Sequence, residues 1–158
     1  WLVWASAVWR LLHRLQQHAG ALRTMNPTFE SIRLAIERRL ATWDGVPVEY
    51  DGTPRSPALK AAIEAKESWV RCTIQHGASI PAGSGSQPCV RRTGMVTFQV
   101  FTPTHRGSRP AALLADSLVP LFEFYQDGHF ETQAMSVQRI GESDGWYQCN
   151  ASTPFRMG

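Results

Sequence analysis

The chain has 158 residues, 43% of them hydrophobic, enough for one ordinary core, and nothing in that length calls for two full domains. Lys and Arg number 16 against 13 Asp and Glu, a formal charge of +3; both signs intermingle along Glu30, Arg33, Glu37, Arg38 and Arg39, as on a solvated helix face, whereas nucleic-acid binding calls for a concentrated basic stripe. Cys72, Cys89 and Cys149 are odd in number and widely spaced, which excludes a small disulfide framework and reads as reduced thiols in a protein assembled in the cytoplasm.

Residues 1–24 place Trp1, Trp4, Val8, Leu11, Leu12 and Leu15 on one face at helical spacing, with Arg10, Arg14 and Gln17 largely turned away, which predicts an N-terminal amphipathic helix. The uninterrupted apolar run stops at Arg10, well short of the roughly 20 residues that cross a bilayer. No basic region precedes it, as a signal peptide would require. Three readings stay open: an appended helix that packs on a partner, a membrane-surface helix, or sequence upstream of a start at Met25. The expected domain spans residues 25–158.

Asn26 is the expected cap of a helix opening at Pro27, with Phe29, Ile32, Ile36, Leu40 and Trp43 as its buried stripe and Asp44-Gly45 as its stop. Val46–Tyr50 reads as a short strand, Asp51–Pro54 as a turn, and the Ala/Lys/Glu-rich Pro57–Glu67 as a helical insertion. Trp69–Gln75 alternates, with Val70, Cys72 and Ile74 on one face. Gly77–Pro88, with three glycines and three serines, predicts a flexible loop at the tip of a long hairpin. Gly94–Thr102 returns with Val96, Phe98 and Val100 inward. After a Thr104–Gly107 turn, Ser108 is placed to cap a helix bearing Leu114, Leu118, Leu121, Phe122 and Tyr125, which Pro120 should kink or end. Two strands follow, Phe130–Ile140 and Trp146–Thr153, joined by a Gly141–Gly145 loop. Runs of strands divided by a helix imply an α+β fold, a single mostly antiparallel β-sheet with two main helices packed on it.

Nucleophilic catalysis needs a nucleophile, a base and an orienting group in mutual reach. The cysteines and His13, His18, His76, His105 and His129 form no such pattern, and each cysteine lies in or beside a strand, where a small buried hydrophobe is the ordinary role. Cys72-x-x-x-His76 with Cys89 is the nearest approach to a metal motif, but structural zinc takes four ligands, usually as two close pairs, and a second pair is missing. Gly83-Ser84-Gly85 lacks the Lys-Ser/Thr ending of a phosphate loop. Trp43, Trp69 and Trp146 read as core or subunit-contact aromatics. No catalytic residue, cofactor or metal is assigned.

The run Arg91-Arg92-Thr93-Gly94-Met95-Val96-Thr97-Phe98-Gln99-Val100-Phe101-Thr102-Pro103, then the Gly107 turn and the helix from Pro110 to Leu121-Phe122, resembles the strand-to-helix crossover of tail-terminator-like (tail completion) proteins of long-tailed bacteriophages. The resemblance covers most of residues 25–158. It implies a structural virion protein in place of an enzyme: a homo-oligomeric ring, six-membered, that caps the tail tube, ends its polymerisation and offers its other face to a head-tail connector. It implies the tail tube protein and that connector as partners, no specific nucleic acid or small-molecule substrate, and a place in the virion neck after assembly in the host cytoplasm. On that reading the expected ring or tube contacts are Ser84, Gly85, Arg91, Arg92, His105, Arg106, Arg109, Phe155 and Arg156. The leading segment, Pro57–Glu67 and Pro120 depart from the family pattern. A neck adaptor, and in a different class a membrane-associated binding protein anchored by residues 1–24, are the competing expectations.

Overall fold

The computed structural model describes residues 26–158; the expected N-terminal helix lies outside the described residues. In chain order the described elements are α1 (Phe29–Leu40), β1 (Val48–Tyr50), α2 (Pro57–Glu64), β2 (Trp69–Pro81), β3 (Val90–Pro103), α3 (Arg109–Phe122), β4 (Gln126–Asp127), β5 (Phe130–Thr132), β6 (Ser136–Ser143) and β7 (Trp146–Met157). They build an α+β fold around one mixed seven-stranded sheet in the order β1-β2-β3-β7-β5-β4, with β6 also paired to β7. Every pairing is antiparallel except β1 with β2. Parallel neighbours need a crossover, and α2 supplies it. The segment read as an insertion is therefore part of the sheet's wiring.

One face of the sheet is apolar. Val70, Cys72, Val96, Phe98, Val100, Cys149, Ala151 and Phe155 alternate inward and are buried against Ile32, Ile36 and Leu40 of α1 and Ala111, Ala115, Leu118 and Phe122 of α3. The opposite face carries Arg71, Thr73, Thr97, Gln99, Asn150 and Ser152 in register. It is half-buried, and Thr97 and Ser152 hydroxyls meet at 3.0 Å across the strands. Polar residues at every second position are what a sheet with one solvated face requires.

Local chemistry moves several expected boundaries. Thr28, not Asn26, caps α1: its side chain accepts from the Ser31 N–H at 3.0 Å while Ser31 Oγ accepts from the Thr28 N–H at 2.9 Å, a reciprocal box that Asn26 and Pro27 cannot form. Asn26 instead accepts from the Val90 N–H at 2.8 Å, tying the helix entry to β3. Strand β2 runs on through Gly77 to Pro81, so the expected loop shrinks to residues 82–89. A register shift between His76 and Ser79 absorbs the irregularity, and Thr93 Oγ1 donates to Ala78 O at 2.9 Å. Ser108 stands at the start of α3 without a side-chain cap bond, and Pro120 lies inside the helix, which ends two residues later at Phe122.

The strand predicted over Phe130–Ile140 is two strands. Residues 133–135 face Thr153-Pro154, and Pro154 has no N–H for the ladder; Gln133 compensates by donating its N–H to Pro154 O at 3.0 Å and accepting from Thr153 Oγ1 at 2.8 Å. β7 therefore serves two partners on one edge, β6 along its first half and β5 at its end. The β6–β7 connection is a two-residue turn at Asp144-Gly145, both residues left-handed at φ +54 and +83. That is the conformation Asp-Gly favours in hairpins.

Candidate functional site

Helix α1 divides two clefts. On the β1–β2 side, Glu30, Arg33 and Glu37 overhang a cavity of about 280 Å³ reaching down to Cys72 and Ile74, with Tyr50, Asp51, Phe29 and His76 around it. Three carboxylates stand there against one arginine. Arg33 donates to Glu30 at 2.6 and 2.8 Å and to Glu37 at 2.5 Å, the i,i+3 and i,i+4 geometry of one helix face. The hydrogen bond from Arg33 lowers the Glu30 pKa. Beneath them burial pushes the Cys72 thiol up to about 12, with Glu37 and Asp51 adding to the shift. Cys72 is thus a protonated core residue at neutral pH, unlike a nucleophile's thiolate.

On the other flank, a cleft of about 390 Å³ is lined by Ser31, Ala35, Arg38, Arg39, Tyr125 and Asp127 among others. Arg39 is fixed: its Nε donates to Leu121 O at 2.9 Å, satisfying a carbonyl near the end of α3, and its guanidinium lies 4.2 Å from the Tyr125 ring centroid. Arg38 is exposed. This flank is basic where the first is acidic.

A third charged cluster ties β1 to its neighbours. The Glu49 carboxylate, 12% exposed, accepts from Arg55 Nε at 2.8 Å and Arg71 Nε at 2.5 Å. Burial pushes its pKa up, but the bonds from Arg55 and Arg71 outweigh that and hold it below the usual carboxylate value. A depressed carboxyl stabilises the fold above its unfolded pKa, about 4.3, and that stability is lost as pH falls through the folded value. Glu49→Gln should accordingly lower stability at pH 7 by about 1–2 kcal/mol, the arginines being partly exposed and the pair partly screened. In urea titrations the gap from wild type should narrow from about pH 5 downward; a gap unchanged by acid would contradict the ion-pair origin.

The contact residues expected from sequence fall into five places. Ser84 and Gly85 are exposed at the β2–β3 tip, Gly85 with φ +145 and open space where a Cβ would project. His105 and Arg106 are exposed in the β3–α3 turn, and Arg109 opens α3. Thr104 anchors that turn by its N–H to Gly145 O at 3.1 Å. Arg91 and Arg156 share the solvent-side sheet face, where Arg156 is bound to Glu131, and the Arg91 Nε is buried without a hydrogen-bond partner.

Two of the nine do not stand in solvent as expected. Phe155 is 2% exposed and packs on Phe130 with ring centroids 5.8 Å apart, so it is core and leaves the contact set. Arg92 alternates to the helix side: its Nε donates to Pro27 O at 2.6 Å, Nη1 to Ser79 Oγ at 2.9 Å, and the guanidinium lies 4.3 Å from the Phe29 ring. Arg91 and Arg92 are therefore not one surface pair. Strand alternation, applied from Phe98, assigns both faces correctly.

Sequence reading also passed over Phe124, which is 72% exposed just past α3 with a left-handed backbone at φ +50. The signal was available in its spacing, which sets Phe124 off the helical stripe of Leu114, Leu118, Leu121, Phe122 and Tyr125.

Among the described residues, no three His, Cys, Asp or Glu side chains converge to hold a metal, and no helix is long and apolar enough to cross a membrane. The described surface offers charged clefts, strand edges and an exposed aromatic. The chain belongs to the phage tail terminator protein family, whose model matches residues 31–154. Membership places it among the structural proteins of the bacteriophage tail. One solved structure matches with a TM-score of 0.62 at 22% identity, covering 83% of this chain and 96% of that chain, and shares the fold. No curated protein matches significantly.

Proposed function

We propose that copies of this protein close into a six-membered ring on the end of the tail tube, stop its growth, and present the opposite ring face to the head-tail connector. The family match over residues 31–154 carries the reading. Its physical content is interface burial: a head-to-tail contact that closes leaves no lateral surface free, while two unlike ring faces remain for two unlike partners. The protein acts without catalysis or cofactor, is assembled in the host cytoplasm and ends in the virion neck. Residues 25–158 are the functional domain on this reading.

Without a terminator the tube subunit has nothing to stop it. Phage lacking the protein should accumulate overlong tails unattached to heads, and a chain beginning at Met25 should restore normal particles. Electron micrographs of lysates decide it. Tails of normal length joined to heads in the complete absence of the protein would end the terminator reading.

A further inference from the structure

A socket stands on one flank of α1, and a knob stands beside Tyr125, which lines the cleft on the other. The knob is Phe124, the most exposed large apolar side chain among the described residues. Its left-handed backbone costs a non-glycine residue conformational energy. The turn is nevertheless tied on both sides: the Glu123 carboxylate accepts from the Met135 N–H at 3.0 Å, the Tyr125 N–H donates to Thr132 Oγ1 at 3.0 Å, and the Phe124 N–H reaches Gln133 O at 3.4 Å. An aromatic ring held out by a fixed, strained turn is the form of an interface anchor. Tyr125, the next residue, lines the basic cleft with Arg38.

The socket is the acidic cleft. Its volume of about 280 Å³ accommodates one aromatic ring, its depth is apolar at Ile74 and Cys72, and Glu37 and Asp51 stand at its rim. We propose that Phe124 of one copy seats in this cleft on the next copy, with Arg38 facing the Glu37 and Asp51 carboxylates. The occupant is a second copy because both halves are present in one chain, carry opposite charge, and lie on different flanks. That makes the contact head-to-tail, the kind that repeats around a ring. The contact rests on the ring reading above and supplies its lateral bond.

The test uses the full chain, with assembly followed by native mass spectrometry and light scattering and folding by circular dichroism. Wild type should form discrete rings. Phe124→Ser, Arg38→Glu and Asp51→Arg should each weaken association by on the order of 30-fold and leave the thermal transition cooperative, since all three sites are exposed in the subunit. The chain carrying both Arg38→Glu and Asp51→Arg should recover rings. An equimolar mixture of the two single variants should recover them too, because alternating copies then meet charge with opposite charge. Rings of wild-type stability in Phe124→Ser, or no recovery in the double variant, would overturn this contact and leave the ring reading standing. A wild-type chain that stays monomeric both alone and on tail tubes would overturn the ring reading, and the contact with it.

Discussion

Replacing Phe98 by Ala is expected to cost about 3–5 kcal/mol of folding stability, a large share of the roughly 5–15 kcal/mol that holds a domain together. Phe98 lies in the middle of β3, fully buried, with its ring 4.7 Å from Phe122 of α3. Its cross-strand neighbours are Cys72 on β2 and Ala151 on β7, and the helix above presents Ala111 and Ala115 to the core. Those cysteine and alanine side chains are too short to swing into the vacated space. A core that cannot collapse pays for both lost transfer energy and a persistent cavity. Guanidinium titrations should show a falling midpoint at nearly constant slope. Met95→Ala, on the solvated face of the same strand and 39% exposed, serves as the comparison and should cost under about 1 kcal/mol. Equal losses at the two positions would contradict the placement of the core.

Much of this architecture was legible because alternation and helical spacing are enforced by burial. Val96, Phe98 and Val100 face inward as expected, and so do Ile32, Ile36 and Leu40, whereas Phe29 of the same expected stripe is 49% exposed. What escaped was set by partners distant in sequence. The extension of β2 past Gly77 depends on β3 residues that accept it, and the break at residues 133–135 depends on Pro154, some twenty positions on. The parallel β1–β2 pair has no local signature at all, because β1 is three residues long and only α2 brings it back beside β2. The Asp144-Gly145 turn is a different kind of miss, since its dipeptide carries a specific hairpin signal that a five-residue loop reading overrode.

The clefts illustrate the same division. That Glu30, Arg33 and Glu37 share a face of α1 follows from their spacing alone. That Asp51 and Tyr50 close a cavity against them does not, because it requires β1 to dock beside β2. Phe155 was misplaced for a related reason: near a chain end it reads as tail, yet β7 continues to Met157 and pairs with both β3 and β5 there.

Gly94, in the run Arg91-Arg92-Thr93-Gly94, should tolerate no side chain. A Cβ there would lie 2.4 Å from Gln75 O and 2.4 Å from Phe155 Cζ, so the requirement is close approach of neighbours, with no left-handed backbone involved. Phe155 is locked in the core between His76 and Phe130 and cannot turn aside, and the carbonyl belongs to β2 itself. Gly94→Val should therefore destabilise the chain by about 2–3 kcal/mol or more. It should also disturb the adjoining strand ends, where Arg91 and Arg156 stand, so assembly is expected to weaken beyond what the loss of folded subunit explains. Pairing Gly94→Ala with Phe155→Leu separates the two contacts. The smaller core residue frees space at the ring but leaves the Gln75 carbonyl where it was, so the double variant should recover only part of the loss, with a coupling energy the cycle measures directly. Full recovery would assign the constraint to Phe155 alone. A stable Gly94→Val chain with unaltered assembly would mean that β2 and β7 do not approach β3 as closely as this packing requires.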